Sequence, residues 1–218
     1  MRKEEIIKKT KDFVRNKLYG EGTGHDWWHS FRVWQLAKRI GKREKADFFV
    51  VEIASLLHDI ADWKFQDDYD DSIGVTITKE WLEGFSVKPE TVSHICKIIK
   101  GVSFKGAGVK DEVESIEAKV VQDADRLEAM GAIGIARCFA YGGSKGRQIY
   151  DPNIKFTMHK SFEEYKKSAS SSINHFYEKL LLLRDRMKTE TGKVLAEKRH
   201  KFMEAYLKEF FDEWKGKS

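Results

Sequence analysis

FFVVEIASLLHDIADWKF, residues 48–65, decides the fold. Its first ten residues are apolar apart from Glu52 and Ser55. A run this long and greasy reads as a helix buried on nearly every side, extending from about residue 46 to 60. At its end stand His58 and Asp59. A carboxylate at the end of a buried stripe needs a partner, because an isolated buried charge is costly. A metal ion is one such partner. Imidazole with carboxylate suits manganese, iron, zinc or magnesium.

Helical periodicity continues on both sides of this run. Residues 1–20 form an amphipathic pattern, with Ile6, Ile7, Phe13, Val14 and Leu18 available to a core. Asp26 suits an N-cap, and the helix it opens is expected to stop before Gly41. Further helices are expected at about 71–82 and from Pro89, a first-turn residue, to Gly101. The rest are placed at 113–140, with a break near Asp123, at 162–188 and at 191–214. Strand-like alternation never persists, and only two prolines interrupt 218 residues. The pattern predicts an all-α, single-domain helical bundle over 1–218. Its core is expected at about 20–140, with C-terminal helices over 160–218 packing on it. Those helices have three possible uses: completing the core, covering a pocket, or making a homodimer.

The charge balance, 40 basic against 35 acidic residues, gives +5, but the two signs alternate along the chain. This reads as solvated helix faces and argues against nucleic acid as a partner. Cys96 and Cys138 form no CxxC pair, no apolar run could span a bilayer, and the expected location is cytoplasmic. The segments 101–110 and 141–151 are glycine-rich and basic, and read as linkers or as lids that contact phosphate.

Three stretches concentrate metal-ligating side chains: GHDWWHSFRV (24–33), LLHDIADWKF (56–65) and VQDADRLEAMG (121–131). The order His…His-Asp…Asp resembles the HD-domain phosphohydrolase superfamily. GHDWWHSFRVW, ASLLHDIADWKF, QDADRLEAMGAIGIAR and SINHFYEKLL are similar to small bacterial members of the YpgQ/YedJ type. The resemblance covers roughly residues 20–215. It implies His29, His58, Asp59 and Asp125 as ligands of one divalent ion at the centre of the bundle. Manganese is the expected ion, with magnesium, iron, zinc, nickel or cobalt as alternatives. It further implies cleavage of a nucleoside or deoxynucleoside triphosphate to monophosphate and pyrophosphate. The alternatives are another phosphomonoesterase or phosphodiesterase (acting on nucleoside monophosphate, cyclic nucleotide or alarmone) and a non-catalytic nucleotide-binding protein. Relatives with two metals add histidines between the doublet and the last aspartate. Only His94 lies there in this chain, either an extra ligand or an ordinary helix histidine.

Hydrolysis also needs a base and cations for the phosphates. Asp62, three residues after Asp59, would project on nearly the same side of a continuing helix and is the first candidate for base, with Asp67 second. Each could instead be a surface carboxylate. Lys64, Arg126 and Lys105, in that order, are candidates to hold phosphate, or structural salt-bridge partners. Arg32, and His175 with Lys179, are further candidates to line a pocket. Trp27, Trp28, Phe65 and Tyr69 could stack on a base, although aromatics at helical spacing also serve cores.

Overall fold

The computed structural model describes residues 1–20, 26–60, 72–104, 106–111, 113–161, 163–164 and 170–217. Asp62, Lys64, Phe65, Asp67, Tyr69 and Lys105 lie outside the described residues. All regular structure among the described residues is helical, as the sequence pattern predicts. The chain divides into two compact units. The first holds Met1–Phe104 and Lys110–Asp125, the second Lys105–Val109 and Arg126–Ser218.

The first unit contains α1 (Lys3–Leu18), α2 (Trp27–Glu44), α3 (Phe48–Leu57), α4 (Ser72–Glu83), α5 (Pro89–Val102) and most of α6 (Ile116–Glu128). The apolar run 48–57 is its centre: every residue of α3 except Phe48 and Glu52 is buried, and α1, α2 and α5 all pack on it. Asp47 starts α3 by accepting the amides of Phe49 and Val50, so the helix length is fixed at its N-terminus by a cap. The one acid within α3, Glu52, is used: it accepts the Trp34 indole N–H of α2 at 2.8 Å. α1 buries Ile6, Thr10, Val14 and Leu18 at a spacing of four, and Phe13 stacks on Trp81 of α4 with ring centroids 4.2 Å apart.

Three helix boundaries differ from the sequence expectation. α2 passes through Gly41 and ends at Lys45, which takes a left-handed φ of 58°. At Gly41 the missing side chain serves packing, since a Cβ there would lie 3.5 Å from Val51 and 3.6 Å from Val120. No break occurs at Asp123, which is buried within α6; the turn comes at Met130–Gly131, where Gly131 has φ +73°. The stretch expected as one helix over 162–188 holds two short ones among its described residues, Ser172–Glu178 (α8) and a 3₁₀ segment at Leu180–Arg186. Lys179, at φ −144° and ψ −61°, separates them.

The second unit is built from α7 (Gly131–Ser144), α8, the 3₁₀ segment and the long α9 (Glu190–Trp214). The expected loop at 141–151 begins late, because α7 runs on through Gly142 and Gly143. A Cβ on Gly142 would collide with the Ser172 hydroxyl, so only glycine lets α7 continue this close to α8. Phe139, Phe176, Tyr206 and Phe210 form a continuous aromatic contact in this unit. Arg186 gathers the carbonyls of Gly106, Ala107 and Val109, which shapes part of the other glycine-rich segment.

Candidate metal centre

Local folding places the four side chains implied as ligands. Asp26 caps α2 through the amide of His29, 2.9 Å from its Oδ1, so the residue that receives the cap also carries the first imidazole. His58 is the C-cap of α3 and Asp59 follows it. Asp125 lies in the last turn of α6. All four belong to the first unit.

These residues, 29, 58, 59 and 125, converge. The Nε2 atoms of His29 and His58 are 3.1 Å apart. His29 Nε2 lies 3.0 Å from Asp59 Oδ2 and 3.6 Å from Asp125 Oδ1. His58 Nε2 lies 3.5 Å from Asp59 and 3.6 Å from Asp125. Both histidines and Asp59 are buried, and Asp125 keeps about 25% of its side chain exposed, which gives the cluster one open side. The His58 ring is set by its other nitrogen: Nδ1–H donates to the Ser55 carbonyl at 2.9 Å, so in the neutral ring Nε2 is left with a lone pair facing the cluster.

Donors around an ion at about 2.1 Å stand about 3.0 Å apart in an octahedron and about 3.4 Å apart in a tetrahedron. The two shortest spacings, 3.0 and 3.1 Å, fall in that range, and the other three, 3.5 to 3.6 Å, lie within about 0.2 Å of its upper end. Two carboxylates and two neutral imidazoles also carry the charge that a divalent ion balances. Among the described residues, His29, His58 and Asp125 each offer a donor atom within 4.8 Å of the other two, while Asp59 faces the two histidines through different oxygens, Oδ2 to His29 and Oδ1 to His58. The electrostatics point the same way. Burial works against an imidazolium at His58, but the Asp59 charge and the hydrogen bond and charge of Asp125 override it and raise the ring to about 9. Burial likewise opposes charge on Asp125, yet the His58 hydrogen bond and charge hold it well below the usual carboxylate range. A site that binds a proton this tightly is a site that attracts a cation.

A family model for the HD domain matches residues 27–130. YpgQ of Bacillus subtilis is 39% identical over 210 residues, 96% of this chain and 94% of its own length. The chain belongs to the HD superfamily of metal-dependent phosphohydrolases. Among solved structures, an HD-superfamily hydrolase from Bacillus thuringiensis is 42% identical with a TM-score of 0.75, covering 98% of this chain and 99% of that one. A Lactobacillus plantarum protein superposes with a TM-score of 0.87 at 35% identity, covering 99% and 100%. The structure of YpgQ in complex with ADP has a TM-score of 0.75 at 36% identity, covering 97% and 100%.

Other residues singled out in the sequence fall elsewhere. His94, weighed as an extra ligand, bonds Ser115 Oγ at 2.9 Å and lies 3.8 Å from Glu117, outside the cluster. Arg126 follows Asp125 in α6 but is buried, and its Nη1 donates to the Arg186 carbonyl at 2.8 Å. Trp27 is a core residue and Trp28 is exposed. Arg32 is half-buried in α2 of the first unit, whereas His175 and Lys179 are half-buried in the second. Sequence reasoning missed the Ser55 carbonyl. A helical residue three positions before a histidine is the signal that could have found it. No helix among the described residues is long and apolar enough to cross a membrane.

Proposed function

We propose that this hydrolase cleaves nucleoside or deoxynucleoside triphosphates to the monophosphate and pyrophosphate. The observation that carries the reading is the largely buried cluster, whose two imidazoles and two carboxylates, with nitrogen–oxygen spacings of 3.0–3.6 Å, suit one divalent ion. A nucleotide as substrate is supported by the ADP complex of YpgQ. Manganese is the ion we propose.

Such an ion lowers the pKa of a water and neutralises phosphate oxygens. The protein's part is to orient donors and to move a proton. His29 and His58 present Nε2, Asp59 and Asp125 present oxygen, and the Ser55 carbonyl keeps His58 from turning. Asp62, three residues beyond Asp59, is the proposed acceptor of the water's proton, with Asp67 as the alternative. Lys64 and Lys105 are the proposed phosphate contacts. Arg126 ranks below them, because part of its guanidinium is already given to Arg186. Water oxygen bonds to the α-phosphorus as the α–β bridging bond breaks, and the leaving group departs as pyrophosphate.

The test is product analysis of purified protein with manganese and a nucleotide panel. Stoichiometric monophosphate and pyrophosphate are expected. Phosphate as the sole inorganic product would overturn the pyrophosphohydrolase reading. Full turnover in Asp59→Ala or Asp125→Ala would overturn the site itself.

A further inference from the structure

At the opposite end of the helices that carry the cluster, a second buried carboxylate joins them. Glu117, in the first turn of α6, is 9% exposed, and its Oε1 accepts the backbone N–H of Asp47 at 2.9 Å. Asp47 is the N-cap of α3, so this single bond, spanning 70 positions in sequence, ties the start of α6 to the start of α3. His94 of α5 lies 3.8 Å from Glu117 Oε2 and bonds Ser115, whose hydroxyl accepts the Ala118 amide. From Asp47 to His58 the α3 segment rises ~16 Å, and from Glu117 to Asp125 α6 rises ~12 Å. Joined at residues 47 and 117, and meeting again at 58 and 125, the two helices run parallel. A sliding of α6 along α3 would therefore carry Asp125 past His58 and His29 by the same amount.

We propose that Glu117 is a positioning residue that sets the register of α6 against α3, and so places the Asp125 oxygen among the other three donors. This rests on the cation site proposed above and not on its substrate. A backbone N–H is a fixed point, unlike a side-chain partner, and that makes the bond suited to fixing a register. α6 has a second hold: Gln122 Nε2 donates to the carbonyls of Gly101 at 3.3 Å and Val102 at 3.5 Å, at the end of α5. The second hold keeps α6 on α5 when Glu117 is changed, so the change tests the tie to α3 by itself.

The experiment reads the ion and not the reaction. Cobalt(II) is titrated into metal-free full-length protein, and its visible d–d bands report donor geometry. Glu117→Met keeps the bulk and loses the acceptor; Glu117→Gln keeps an acceptor oxygen. Glu117→Met is expected to weaken cobalt binding by ~10-fold or more, the scale seen when groups that orient ligands are removed, and to alter the bands. Glu117→Gln is expected to restore both to within about 3-fold and to the wild-type band shape. A folded Glu117→Met protein with wild-type affinity and bands would overturn the proposal, as would Glu117→Gln failing to the same degree. If Glu117→Met does not fold, Glu117→Asp, whose shorter side chain cannot reach the Asp47 amide, takes its place with the same outcomes. Absence of cobalt binding by the wild-type protein would instead overturn the cation-site reading, and the proposal with it.

Discussion

The two units both bury charge, and they handle it differently. In the second unit, Glu128 is almost wholly buried and paired with Arg137. There the protein supplies the positive partner itself. In the first unit two carboxylates close on two imidazoles, and the only positive charge such a cluster can generate internally is a proton on histidine. The difference separates a structural ion pair from a binding site: one is complete when the chain folds, and the other has a place for an ion from outside.

The sharpest way to break this contrast is to remove an acid from each unit. Asp125→Ala should cut manganese-dependent turnover by ~10³-fold or more, since several kcal/mol of charge stabilisation goes with the ion. Pyrophosphate release measures it. Its fold should survive with lower metal-free stability, because Asp59 remains to face the His58 ring. Arg137→Met should do the reverse. It takes a charge-assisted hydrogen bond from the buried Glu128 carboxylate, costing about 1.5–3 kcal/mol in urea unfolding. Cobalt affinity of the folded protein should stay unchanged.

A pH series sharpens the same comparison at smaller amplitude. His58 holds its proton up to about 9 in the folded protein against an ordinary 6.5. Its contribution to metal-free stability is therefore complete below about 6.5 and lost as pH rises through 9. Asp125, held below its ordinary 3.8, contributes above that value and loses its contribution as pH falls. Urea midpoints in a chelator should thus form a plateau over mildly acidic pH and decline toward pH 9 and beyond. Saturating manganese should flatten the alkaline decline, because the ion replaces the proton. The smallest effect expected is at the cysteines. Burial pushes the Cys138 thiol up to about 12 and raises that of Cys96, so both should alkylate with iodoacetamide more slowly at pH 8 than an unperturbed thiol.

Most of the first unit was legible in the sequence because its signals are local. The run 48–57 buries as its composition implies, Asp26 caps where an N-cap residue precedes a helix, and Pro89 opens α5. The boundaries that departed were decided by distant residues. Gly41 reads as a stop until Val51 and Val120 are seen packed against it, and Lys45, which does end the helix, has no turn-forming signature. The second unit was less legible, since the separation of α8 from the 3₁₀ segment lies at Lys179, an ordinary helix former. At the site, residues 29, 58, 59 and 125 were visible through the spaced motif. Glu117 was not, because its partner is an amide 70 positions away and nothing in the chain marks a carboxylate that accepts one.

The bond from His58 Nδ1 to the Ser55 carbonyl hangs the imidazole from the last turn of α3. An ion held by His58 would tie its own binding to the closure of that turn. Amide hydrogen exchange at residues 57–60 should therefore slow as the ion is added, a record of occupancy written in the backbone.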